Sequence, residues 1–195
     1  MPIFVDHDEW REKIVDAAIR VLGDLGFAKF TLRAVSNRLG GSVTMVTHYF
    51  PSRDALLDTM LQQTLEDART VQDELIAIED PHERLEAIVR YFMPDNDEGM
   101  AIERARVALV SHRNVEPAIE RHLALLEPGM RNLIATAIGD FISPGEIEPT
   151  VDLIRLWTSG MVLSAIEHPE LWTPERQNAA LSHFMKLIDL PVTAA

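Results

Sequence analysis

Thr31, Arg33, Ser42, Val43, Thr44, Met45, Thr47, His48, Tyr49 and Arg53 fall within 23 residues, and their chemistry is that of a surface that touches nucleic acid. Arginine and hydroxyl groups donate to phosphate, and threonine or methionine methyl groups contact the thymine methyl in a major groove. The charge around them agrees. Between Asp24 and Asp54 lie 29 residues with no Asp or Glu and four bases, Lys29, Arg33, Arg38 and Arg53, in a chain of net charge −13. An overall acidic protein cannot coat phosphates along its whole surface, so contact with nucleic acid is expected from this basic island alone.

Other chemistry finds weaker support. Glu79 and His82 have the E-x-x-H spacing of carboxylate-bridged di-iron bundles, but the motif contains Pro81 and has no twin. His112 and Glu116 stand four apart, yet Asn114 and Pro117 suggest a helix break there. No Ser-His-Asp arrangement or phosphate loop is visible, and Gly40-Gly41 follows a helical pattern without the lysine of a P-loop. The absence of cysteine excludes disulfides and thiolate sites and fits a reducing compartment. No catalytic residue, metal site or cofactor is expected.

The elements that position these residues read at helical period throughout. A first helix places Trp10, Ile14, Ala17, Ala18, Val21, Leu22 and Leu25 on one stripe and stops at Gly26. A second, over 31–39, starts at an N-cap candidate, Thr31, and buries Leu32, Val35 and Leu39. A third starts at Ser42 and turns Val43, Val46 and Phe50 inward, which turns Thr44, Met45 and His48 outward. Gly40 and Gly41 form the tight turn that lets this helix project from the second. Pro51 and Ser52 restart the chain as a long fourth helix carrying Leu57, Met60, Leu61, Leu65, Ala68, Val71 and Leu75. Further helices are expected over 82–93, 98–112, 116–142, 150–168 and 173–190, between turns rich in proline and glycine. The fold class is all-α: a three-helix head with a helix-turn-helix, joined by the long helix to a helical bundle.

FTLRAVSNRLGGSVTMVTHYFPSRDALL, with Phe27 and the helix before it, resembles the N-terminal domain of TetR-type regulators. Thr31, Gly40, Ser42, Tyr49, Phe50, Arg53 and Leu56 fit that pattern without gaps. The resemblance implies a dimer whose second and third helices read double-stranded operator DNA, with a variable C-terminal domain for an effector. Three positions depart from it. Gly41 stands where a small apolar residue is usual, Thr47 where a phosphate-contacting Tyr is frequent, and Arg53 for a usual Lys. Gly145-Glu146-Ile147 and the helices after it resemble the BetI-like C-terminal domain. That resemblance implies an interface made by the last two helices of each copy, with Trp157, Gly160, Ser164, Leu181, Phe184, Met185 and Ile188 in it.

The expected division is 8–68 for DNA binding, with the reader at 31–50, and 69–195 for effector binding and dimerisation. Phe92, Met100, Met130, Trp157 and Met161 are the candidates to line an effector site, since methionine adapts to apolar ligands; as plain core they would need no ligand. The stripe Ile119, Leu123, Leu126, Met130, Leu133, Ala137 and Phe141 keeps phase through Pro128, predicting one kinked helix. The expected function is a cytoplasmic, ligand-responsive repressor on a palindromic operator, responding to a small, largely apolar effector. A helical adaptor that has lost DNA binding and a helical-bundle enzyme are the alternatives. No membrane partner is expected: the longest uncharged apolar run, 156–166, is well short of the roughly 20 residues of a span, and MPIFVDHDEW has no leader pattern.

Overall fold

The computed structural model describes residues 7–188, and the described residues hold nine α-helices and no strand. They are α1 His7–Leu25, α2 Leu32–Arg38, α3 Val43–Tyr49, α4 Arg53–Ile76, α5 Pro81–Tyr91, α6 Asp97–Val110, α7 Pro117–Ile138, α8 Ile147–Glu167 and α9 Pro174–Leu187. The last two positions of the helix expected over 173–190 lie outside the described residues.

Two compact units divide the chain. The first comprises residues 7–66 and Ala101–Leu123. Its core joins Ile14, Ala18 and Leu22 of α1 with Phe30, Val35, Val46, Phe50, Leu56 and Leu57, and with Ala105, Leu109 and Ile119 from far along the chain. Ala101–Leu123 therefore packs with the head, a long-range pairing that helical periodicity does not encode. Gly23 eases it: a β-carbon there would stand 3.0 Å from the Ala101 carbonyl oxygen and 3.1 Å from Arg104 Cβ, so any larger residue would push the backbones of α1 and α6 apart by a few tenths of an ångström. Leu25, expected on the inner stripe, is 47% exposed because α1 ends there and the chain turns away at Gly26, whose φ is 74°.

His122 of α7 is a buried polar group in this unit. Burial pushes its pKa down, against the raising effect of a hydrogen bond to the Leu61 backbone, and its Nδ1 has no partner. A histidine kept neutral by the fold but free to take a proton when unfolded costs stability as pH falls below the unfolded value of about 6.5, by up to about 1.4 kcal/mol per pH unit. Thermal unfolding of the wild type should thus lose more stability between pH 7.5 and pH 5 than that of His122→Gln. Parallel pH profiles for the two proteins would contradict this.

The second unit comprises Asp67–Met100 and 124–188. Leu85, Ile88 and Val89 of α5 meet Leu133, Ile134 and Ile138 of α7, Val151 and Ile154 of α8, and Leu181 of α9. Asp80 caps α5, its carboxylate accepting from the Glu83 amide at 2.9 Å, and Thr173 caps α9. α7 runs unbroken through Pro128, as its stripe predicts, although proline removes the amide that would bond the Ala124 carbonyl.

Candidate nucleic-acid interface

Both short helices of the head begin as their sequence asks. Thr31 Oγ1 accepts from the Ala34 amide at 3.1 Å, and Ser42 Oγ accepts from the Met45 amide at 3.3 Å. Caps of this kind typically contribute about 1 kcal/mol each, a large share of what holds seven-residue helices. Between them only Gly40 has a left-handed backbone, φ 67°. Gly41 does not, so the turn's backbone requires one glycine and not the pair.

α3 presents Thr44, Thr47 and His48 to solvent and anchors itself through Val46 and Phe50, both buried. Two assignments exchange places. Val43, expected inward, is 38% exposed, because at the first position of the helix it lies beyond the reach of the core. Met45, expected outward, is half-buried and lies back over Gly41. Thr47 donates its hydroxyl proton to the Thr44 carbonyl at 3.1 Å.

The basic island divides in two. Lys29 and Arg33 are exposed. Arg38 is paired with Asp24 at 2.7 Å. Arg53 donates to Glu116 at 2.8 Å and to Asp54 at 3.0 Å, and its guanidinium stands 4.9 Å from the centre of the Phe27 ring. Partial burial lowers the pKa of Arg53, but the bonds to Glu116 and Asp54 outweigh it and hold the pKa above its usual value. His112 packs its ring 4.5 Å from the same Phe27. His112 and Glu116 thus contact different partners in the head, Phe27 and Arg53.

Arg53→Ala should lower the stability of the free protein by about 1 kcal/mol, allowing for partial exposure, and Glu116→Gln should do nearly the same. Melting curves without DNA test this. An Arg53 acting on phosphate alone would leave them unchanged.

Sequence reading missed two residues on this surface. Arg11 donates to the Tyr49 carbonyl at 3.4 Å, closing the end of α3, and lies over Phe50. His7 sets its ring 5.7 Å from Tyr49 and 6.1 Å from His48. The signal was present, since His7, Arg11, Ile14 and Ala18 share one helical face, but only the apolar members were read as facing inward.

In the second unit, Phe92, Met130, Trp157 and Met161 join one apolar cluster, while Met100 is half-buried and outside it. Trp157 stacks on Phe184 at 4.0 Å and 8°. Arg155, bound to Glu127 at 2.8 Å, places its guanidinium 5.4 Å from the Phe92 ring centre. On α8, Leu153, Leu156 and Leu163 are exposed at one helical face that includes Gly160, where a β-carbon would meet nothing within 4 Å. Leu187 of α9 is 71% exposed. Leu181, expected at an interface between copies, is wholly covered within the chain because it lies on the inner face of α9. Ser164, Phe184, Met185 and Ile188 are partly covered.

A capped pair of short helices around a tight turn, with a polar outer face on the second, is the helix-turn-helix of DNA-binding regulators. Residues 14–60 match the family of bacterial regulatory proteins called tetR, and residues 81–189 match the C-terminal region of BetI-type transcriptional repressors. The chain belongs to the TetR family, with a BetI-type C-terminal region. Relatives named HTH-type transcriptional regulator BetI include one from Burkholderia ambifaria, 30% identical over 113 residues, and one from Burkholderia cenocepacia, 28% identical over the same length. The matched stretch is 57% of this chain and 58% of theirs. The matched family and relatives are transcriptional regulators rather than enzymes.

Similar solved structures include a transcriptional regulator from Saccharomonospora viridis in complex with choline, with TM-score 0.78, 18% identity, and 92% of this chain and 97% of that one covered. A regulator from Rhodococcus sp. Rha1 gives TM-score 0.74 at 22% identity, covering 91% and 95%. The multidrug binding protein EbrR in complex with malachite green gives 0.61 at 22%, covering 94% and 99%. Among the described residues no helix is long and apolar enough to cross a membrane.

Proposed function

We propose that this protein is a dimeric, ligand-responsive repressor that occupies a palindromic operator through α2 and α3 and leaves it when a small, largely apolar effector binds. The observation that carries the reading is α3 itself: capped by Ser42, pinned by Val46 and Phe50, and presenting Thr44, Thr47 and His48 to solvent, in a head where Lys29 and Arg33 are exposed as well. That surface has no core to serve and suits a phosphate-lined groove.

In this reading residues 8–68 bind DNA and 69–195 bind effector and partner copy, and the protein works in the cytoplasm. Phe92, Met130, Trp157 and Met161 contribute to the effector site, with Met100 at its margin. The similar regulators bound to choline and to malachite green lend support to organic cations with apolar substituents as one class of effector. Repression follows from occupancy alone, whereas activation requires a further contact for which no residue stands out.

Selecting bound duplexes from a random pool tests the proposal. Enriched sites should be roughly two-fold symmetric, with half-sites about one helical turn apart or a multiple of it. Asymmetric, unenriched output would support the adaptor reading instead.

A further inference from the structure

Gly41 occupies the position before the cap of α3, where an apolar side chain ordinarily packs on the fourth residue of the helix and fixes the angle at which the chain enters it. That fourth residue, Val46, is fully buried, yet Gly41 has no side chain to lay against it. The backbone does not demand the glycine, because Gly41 lacks the positive φ found at Gly40. What occupies the space is Met45. A β-carbon built on Gly41 would stand 2.8 Å from Met45 Cε and 3.1 Å from its Sδ, so the thioether already sits where a side chain at position 41 would begin. Methionine is suited to this, being unbranched, polarisable and able to fill irregular gaps.

The geometry points to Gly41 and Met45 as a matched pair in which Met45 is the apolar filler of the reader's turn, a positioning residue for α3 that reads no base. The Ser42 cap holds the Met45 amide while the thioether closes over Gly41, so one residue is fixed at both ends. Base contact then falls to the exposed Thr44, Thr47 and His48. This last step rests on the reading that α3 faces an operator; the packing of the pair does not.

The wild type, Met45→Ala, Gly41→Val and the Gly41→Val/Met45→Ala double variant are compared in two assays. In thermal unfolding without DNA, Met45→Ala should lower the melting temperature by roughly 2–4 °C. Gly41→Val should lower it by less, because the new side chain meets only the flexible end of the thioether, which must swing out of the gap it fills. The double variant should recover at least half of the summed loss, since it rebuilds the ordinary arrangement with the roles exchanged. Additive losses would overturn the pairing. In duplex selection, Met45→Ala should enrich the same bases as the wild type while binding all sites more weakly. A changed base preference at any operator position would overturn the claim that Met45 reads no base. Should the wild type itself enrich no sequence, the repressor reading fails, and the thermal cycle still decides the pairing.

Discussion

Gly160→Asp should turn a dimer into a folded monomer. A β-carbon at Gly160 meets nothing within 4 Å, so the aspartate enters open space and leaves the chain's own packing intact. In an assembled dimer it would lie on the face with Leu153, Leu156 and Leu163, 66%, 70% and 46% exposed in the single chain. Large leucines so exposed along one helix signal a surface covered by another molecule, and in the proposed repressor that molecule is a second copy. An unpaired charge buried there costs about 3–5 kcal/mol, which weakens association by roughly 100- to 5,000-fold. Sedimentation at micromolar concentration should give about 44 kDa for the wild type, twice 21.9 kDa, and half that for the variant. Operator affinity should fall with it, since one reader holds one half-site. A Gly160→Asp protein that remained dimeric would place the interface elsewhere. Leu181→Asp is the informative contrast: Leu181 is wholly buried within the chain, so that change should unfold the second unit whatever the oligomeric state.

The contrast between Gly160 and Leu181 marks how far the sequence could be read. Local chemistry was legible: Thr31 and Ser42 cap the helices they precede, and the stripe through Pro128 belongs to one helix. These outcomes depend on a few neighbouring residues, so spacing alone decides them. The partner of each face was not legible. Leu181 and Leu156 are equally apolar leucines on successive helices, and only the arrangement of α5, α7 and α9 makes one core and the other surface. The same limit explains Arg53. Its charge marked it for phosphate, but Glu116, 63 positions away, engages it first. At Met45 and Val43 the error was one of phase: over seven residues a helix turns less than twice, and end effects outweigh periodicity. The exposed face of α3 was thus legible, while the partners of residues such as Arg53 depended on contacts that span the chain.

Thr44→Glu separates DNA binding from stability. Thr44 is exposed in the first turn of α3, where the free amides and the helix dipole favour negative charge, so the variant should melt at or slightly above the wild-type temperature, a gain on the order of 0.3–1 kcal/mol. Against an operator the same carboxylate faces phosphates and base edges, and in a dimer it does so twice. A desolvated like charge costs several kcal/mol, so operator affinity should fall at least about 100-fold at roughly 0.1 M salt. Arg33→Ala provides the calibration. Removing one phosphate contact should weaken all duplexes alike and reduce the salt slope by about one per half-site, leaving base preference untouched. Titration of the selected operator against each protein at several salt concentrations yields both quantities. If Thr44→Glu bound the operator as tightly as the wild type while keeping its fold, α3 would not lie in the groove, and the reader would have to be sought on another face of the head.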